Sequence, residues 1–315
     1  MNILSEVKTL KIEIDENGCN FVEIDCNESF PLNIAFNCHK EIKKYLGSRI
    51  KNIEEIGGGI NDEEVLYKII AREGTISIYA DWAGVDVRAE NIDSNTLLYE
   101  LYNNINKKGI IFDLDGTLWD ASTQVVPAWN IALNRHSELD KQITIDDMRG
   151  FMGKTIDVIA EIMFHGMDSE KSVKILTECC NEEQIYLRKH GGILYPKLED
   201  TLKLLAQNYS LYIVSNCQDG YVQAFLDYHK LWSYFKDIEM SGRTGKSKGA
   251  NIKIIIERNE LKKSVYVGDT TGDLEGANYA GIPFIYAKYG FGQLDDVKYS
   301  INNISDINRI IGNIL

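Results

Sequence analysis

Two patterns of apolar and polar positions divide the chain. Up to about residue 108 the pattern is mixed. Residues 11–15 and 20–25 alternate apolar with polar side chains, the period of half-buried strands. In residues 38–46, Ile42 and Leu46 fall one turn apart, which predicts a helix. Residues 65–72 and 75–82 flank Glu73-Gly74 and predict a hairpin. Asp93 or Ser94 is placed to cap a helix over 95–104. Gly57-Gly58-Gly59 reads as a turn, since no GxGxxG follows a clear strand. From Gly109 onward short apolar runs alternate with amphipathic stretches. Strands are expected at 109–112, 211–215, 264–268 and 283–287, and helices at 197–208, 221–228, 251–259 and 273–280. That alternation predicts an open, mostly parallel, doubly wound α/β sheet. Between 122 and 190 the pattern is purely helical, as expected of a cap inserted after the first strand. The expected organisation is an α+β domain over 1–108, an α/β core over 109–121 and 192–315, and a helical cap over 122–191.

The chemistry sits where these strands end. The run Ile110-Ile111-Phe112 stops at Asp113-Leu114-Asp115-Gly116-Thr117, placing two carboxylates one residue apart at the mouth of a buried strand. Such carboxylates are costly to desolvate and repel each other, and a divalent cation offsets both penalties. Three further clusters follow in order: Ser215-Asn216 after the second strand, Lys246 and Lys248 in a glycine-flanked loop, and Asp269 with Asp273 after Gly268. Ligands of open α/β sheets bind outside the carboxyl ends of the strands, where all four clusters converge. Taken singly, each has an ordinary explanation as a turn, a helix cap or a solvated lysine.

This ordered set resembles the haloacid dehalogenase-like superfamily of phosphotransferases, over about two-thirds of the chain from Gly109 to the C-terminus. The helical insertion is similar to the cap of its phosphoglycolate phosphatase-like and β-phosphoglucomutase-like members. The resemblance implies a Rossmann-like core, a Mg²⁺ cofactor and an aspartyl-phosphate mechanism. Asp113 would be the nucleophile, and Asp115 the acid and then the base, an acid that the dehalogenases of the superfamily lack. Ser215, and the backbone from Gly116 and Thr117, would hold phosphoryl oxygens, with Asn216 beside them. Lys246 or Lys248 would neutralise developing charge. Asp113, Asp115 through its carbonyl, Asp269 and Asp273 would form the metal set. Members commonly carry a proline after the lysine. Here Ser247 and Gly249 follow the two candidates, so the choice between them stays open.

Within the cap, Arg149-Gly150-Phe151-Met152-Gly153-Lys154 places a cation on each side of an apolar pair flanked by glycines. Arg149 and Lys154 are therefore candidates for contact with an anionic substrate. Trp119 would either touch substrate or pack. His136, His165 and His190 show no partner pattern. Cys179-Cys180 is expected on a helix with one thiol inward.

Composition narrows the setting. The 315 residues carry a net charge of −13, which argues against broad binding to nucleic acid or an anionic membrane. No apolar run is long enough to span a bilayer, the start of the chain lacks a signal-peptide core, and the six cysteines show neither zinc nor disulfide spacing. A cytoplasmic location is expected. The expected activity is a magnesium-dependent phosphatase acting on a small phosphorylated metabolite. The alternatives are a sugar phosphomutase, or a regulatory protein whose residues 1–108 bind a protein partner.

Overall fold

A computed structural model describes residues 7–26, 31–56, 64–80, 84–105 and 107–315. The Gly57-Gly58-Gly59 turn and the end of the 75–82 strand lie outside them. The chain forms two compact units, Met1–Lys107 and Lys108–Leu315.

The first unit has the order β1 (Val7–Ile14), β2 (Asn20–Cys26), α1 (Pro31–Leu46), β3 (Ile50–Glu55), β4 (Glu64–Ala71), β5 (Thr75–Ala80), β6 (Gly84–Ala89) and α2 (Asn95–Ile105). Its strands make one antiparallel sheet in the order β1-β2-β6-β5-β4-β3. Ile34, Ile42 and Leu46 of α1 and Leu97, Leu98 and Leu101 of α2 are buried with Ile69, Ile76 and Ile78 of the sheet. The expected hairpin is β4–β5. Sequence pattern alone missed β3 and β6. β3 (IKNIEE) buries none of its residues and lies at the sheet edge, where charge discourages further pairing.

The second unit begins with β7 (Lys108–Phe112) and β8 (Trp119–Asp120). Four helices follow: α3 (Ser122–Leu133), α4 (Ile145–Phe151), α5 (Ile156–Met163) and α6 (Ser169–His190). β9 (Ile193–Leu194) returns the chain and pairs antiparallel with β8. Then come α7 (Leu198–Leu205), β10 (Ser210–Ser215), α8 (Tyr221–His229), β11 (Phe235–Met240), α9 (Ser241–Thr244), α10 (Lys248–Arg258), β12 (Lys263–Gly268), α11 (Thr271–Ala280), β13 (Phe284–Ala287), β14 (Ser300–Ile301) and α12 (Ile307–Ile310). The main sheet is parallel throughout, ordered β11-β10-β7-β12-β13-β14. It is a Rossmann-like core carrying an inserted helical cap.

The period of two in the strands builds this sheet. Ile110, Phe112, Ile213, Val265 and Val267 bury on one face, while Ile111, Tyr212, Val214 and Tyr266 bury on the other. Both faces are covered, so each strand reads as a continuous apolar run. β11 escaped the sequence reading because Phe-Lys-Asp-Ile-Glu-Met is half polar. Its Asp237 and Glu239 are satisfied by Arg258 of α10, at 2.8 and 2.9 Å. The chain turns outward from β7 to either side, so β7 stands at the switch point and its carboxyl end opens onto the ligand crevice.

Candidate active site

The sheet delivers three carboxylates to one spot. Asp113 follows β7, and its N–H still donates to the Val267 carbonyl of β12 at 2.8 Å. Asp269 follows β12, and Asp273 lies in the first turn of α11. All three are buried, and one oxygen from each lies within 4.8 Å of the others. Lys248, the first residue of α10 and equally buried, donates from Nζ to Asp113 Oδ1 at 2.8 Å and to Asp273 Oδ1 at 2.5 Å. Ser247 holds it there by capping α10, its Oγ accepting from Ala250 N–H at 3.4 Å. Lys246, the other candidate, is exposed and is engaged through its backbone, its N–H donating to Thr244 Oγ1 at 3.1 Å and its carbonyl accepting from Asn251 Nδ2 at 3.3 Å.

Three carboxylates against one ammonium leave two negative charges without a counter-charge. The strain shows in the protonation equilibria. Burial, then repulsion from Asp273, lifts Asp113 well above the ordinary carboxylate range despite Lys248. Burial, then Asp273, pushes Asp269 up to about 7. Burial pulls the Lys248 ammonium down, but Asp113 and Asp273 outweigh it and hold the group above its usual value. A hard divalent cation matches this all-oxygen set and its charge deficit, and it would reverse the shifts of the acids.

Asp269 is set by backbone. Phe291 N–H donates to its Oδ2 at 2.7 Å. The loops around it must be glycine: a Cβ at Gly116, whose φ is +82°, would stand 2.2 Å from Asp269 Oδ2, and one at Gly290 would stand 2.3 Å from Asp269 Cβ. Asp273 Oδ2 accepts from Thr270 N–H and Oγ1, both at 2.8 Å, and from Asp269 N–H at 3.1 Å. It therefore caps α11 while its other oxygen holds Lys248. Thr117 is buried and its Oγ1 donates to Asp269 Oδ1 at 3.5 Å.

The Asp115 carboxylate lies outside this triad. Its Oδ1 accepts from Trp119 Nε1 at 2.9 Å and from Tyr221 O–H at 2.8 Å. Burial raises Asp115 to about 6, against the lowering pull of those two bonds. Trp119 is fully buried, edge-on to Tyr221 and Phe225, so it packs and orients Asp115 together.

Asp113 and Asp115 open into a cavity between core and cap, with Ser215, Asn216, Lys154 and Tyr221 on its wall. Asn216 Nδ2 donates to the Gly153 carbonyl at 2.9 Å and its Oδ1 accepts from Ser241 Oγ at 2.9 Å, so this side chain ties cap loop to core. Of the two cap cations, Lys154 lines the cavity and Arg149 does not; both are exposed. Cys179 is fully buried, and Cys180 is half-buried on the cavity wall, so both thiols turn inward rather than one. His136 bonds Glu178 at 2.8 Å, His165 bonds Glu161 at 3.2 Å and His190 packs on Tyr186. Sequence reasoning missed Tyr221, Phe291 and Glu183. Nothing in a lone tyrosine at a helix start, or a glutamate within a polar helix, marks it as facing a site.

A parallel sheet whose first strand ends in buried acids, beneath an inserted helical cap, is an arrangement of the Rossmann-like class. Residues 110–287, more than half of the chain, match the Haloacid dehalogenase-like hydrolase family, and the chain belongs to that family. It is similar to a phosphoglycolate phosphatase of Aquifex aeolicus, 26% identical over 213 residues that span 65% of this chain and 96% of the relative. A phosphoglycolate phosphatase of Aliivibrio fischeri is 26% identical over 208 residues, 61% of this chain and 89% of that one. The crystal structure of a predicted phosphatase from Clostridium acetobutylicum superposes with a TM-score of 0.56 at 24% identity, over 66% of this chain and 99% of that one; it shows the same fold. The protein is a phosphoric monoester hydrolase of the phosphoglycolate phosphatase-like branch. Among the described residues no helix is long and apolar enough to cross a membrane.

The glycine cradle gives a first expected result. Gly116→Ala forces a β-carbon into Asp269 at a backbone angle that alanine avoids. It should cost about 1–3 kcal/mol of stability and, by displacing Asp269, lower kcat/KM by about 10²-fold. Steady-state kinetics with a denaturant titration check both, and wild-type values in both would show that the cradle is not needed.

Proposed function

We propose that the protein hydrolyses a small phosphomonoester through an aspartyl-phosphate on Asp113, with Mg²⁺ as its cofactor. The observation that carries this reading is the placement of Asp113, Asp115 and Ser215 on one cavity wall with the Lys248 ammonium 2.8 Å from Asp113. Residues 122–191 act as the cap that encloses this cavity.

Asp113 Oδ1 is held by Lys248, which leaves Oδ2 to attack phosphorus. As the new P–O bond forms, the bond from phosphorus to the ester oxygen breaks. Asp115 supplies the proton that the leaving oxygen needs. Trp119 and Tyr221 both occupy its Oδ1, so Oδ2 is the oxygen that carries the proton, and a carboxyl raised to about 6 is poised to do so near neutral pH. The same carboxylate then takes a proton from water. The water oxygen attacks phosphorus, the bond to Asp113 breaks and inorganic phosphate leaves. Lys248 and Ser215 stabilise charge on the phosphoryl oxygens. Magnesium held by Asp113 and Asp269, with Asp273 behind them, would screen the attacking carboxylate from the phosphate it approaches.

Purified protein assayed against a panel of phosphorylated metabolites should release inorganic phosphate from one compound class. EDTA should reduce that release by at least about 10²-fold, and added Mg²⁺ should restore it. Undiminished turnover in EDTA would count against the metal, and an isomerised sugar phosphate with no free phosphate would establish the mutase instead.

A further inference from the structure

The mechanism above leaves a buried acid of the cavity wall unused. Glu183 lies in α6, is 7% exposed and lines the same cavity as Asp113 and Asp115. Its Oε2 accepts from Trp129 Nε1 at 2.8 Å, and the Cys180 thiol, three residues earlier on the helix, donates to it. Among the described residues no lysine, arginine or histidine pairs with it. Around it the cap presents Trp129, Met148, Phe151, Met152, Ile156 and Ile159. A carboxyl group set among apolar side chains without a counter-ion is costly, and its burial lifts it to about 8. A folding role gives no reason for an acid here, because the indole N–H of Trp129 would be satisfied equally by an amide oxygen.

We propose that Glu183 selects the substrate: the leaving group has an apolar body that packs against the cap and ends in a hydrogen-bond donor, a hydroxyl or an ammonium, that meets Glu183. The inference rests on the phosphatase reading and sharpens it. A leaving group ending in a carboxylate, as in phosphoglycolate, fits the chemistry of this wall poorly. Among the described residues that line the cavity Lys154 is the one cation, and it is exposed, so a carboxylate buried against the apolar wall would lack a counter-charge. A site built to bond a substrate donor rejects the analogue lacking it strongly, because its own polar group is left unpaired.

The test uses the full chain with Mg²⁺ and four esters on one aromatic body: para-(hydroxymethyl)benzyl, para-(aminomethyl)benzyl, para-ethylbenzyl and para-carboxybenzyl phosphate. A donor-free reference, para-nitrophenyl phosphate, reports the chemistry alone. The wild type should prefer one of the two donor esters over the ethyl and carboxyl esters by at least about 10²-fold in kcat/KM. Preference for the hydroxyl ester identifies a neutral partner, and preference for the amine a cationic one. Glu183→Leu should bring the donor-to-ethyl ratio to about one or below, since the leucine wall suits the ethyl group. That ratio is internal to each preparation and does not depend on how much protein is folded. If Glu183→Leu yields no soluble protein, Glu183→Gln serves: it keeps an acceptor, so a hydroxyl preference should survive and an amine preference should collapse. Equal or better turnover of the ethyl or carboxyl ester by the wild type, or a ratio unmoved in Glu183→Leu, overturns the proposal. An absence of phosphate release from every ester, the reference included, overturns the phosphatase reading itself.

Discussion

Asp113→Asn is expected to lose turnover by at least about 10⁴-fold while folding at least as well as the wild type. The amide is nearly isosteric but cannot attack phosphorus, so the first chemical step disappears rather than slows. Stability should move the other way from activity. In the metal-free protein Asp113 is a buried carboxylate whose ionised form is disfavoured, first by burial and then by Asp273. Removing its charge relieves that repulsion, and Lys248 keeps Asp273 at 2.5 Å as a partner. The thermal midpoint in EDTA should therefore hold or rise, and the stabilisation that Mg²⁺ confers on the wild type should shrink, because one of its ligands is weakened. Thermal scans with and without Mg²⁺, beside single-turnover assays, check all three. Wild-type turnover in Asp113→Asn would remove the covalent mechanism. Lost turnover with a lowered midpoint would reduce the result to misfolding. An active site that costs stability is the pattern expected where function rather than folding has chosen the residues.

How far these features could be read in the sequence follows from what each one depends on. The strands of the core were legible because a sheet covered on both faces needs continuous apolar runs, and Ile110-Ile111-Phe112 and Tyr266-Val267 are such runs. β11 and β3 were not, because edge strands carry Asp237, Glu239, Glu54 and Glu55, whose partners or solvent exposure are visible only in three dimensions. The acids at the strand ends were legible for a related reason: each could singly be a turn or a cap, but the apolar runs before them bring them in order to one edge of the sheet. Tyr221 and Glu183 gave no such signal. Each sits on a helix at a spacing that any packed residue could have, and only the placement of cap and α8 against the core brings them to the cavity with Asp115. Arg149 and Lys154 show the converse, since a symmetric motif in sequence places one cation on the wall and the other off it.

The lysine loop offered two candidates that sequence left equal, and the structure makes them opposite in consequence. Lys248→Met should be among the most damaging single changes in the core. It removes the one ammonium between Asp113 and Asp273, both buried, and breaking a buried ion pair from one side costs about 3–5 kcal/mol. Turnover should fall with it, since in the proposed mechanism Lys248 stabilises charge on the phosphoryl oxygens. Lys246→Met alters an exposed side chain whose residue is anchored only through its backbone, and should change stability by no more than about 0.5 kcal/mol. The damage in Lys248→Met should also depend on pH, with a definite sign. Asp113 is raised in the folded state already with Lys248 present, and losing the ammonium raises it further. Between the unfolded carboxylate value of about 4 and that raised folded value, the native state holds a proton that the unfolded state has lost. Stability in EDTA must then fall as the pH rises through this window and recover toward its acid end. Urea midpoints for the wild type and both variants across that range, with kcat/KM at neutral pH, give the decisive comparison. If Lys246→Met is the more damaging of the two, the assignment of Lys248 to the reaction centre is wrong.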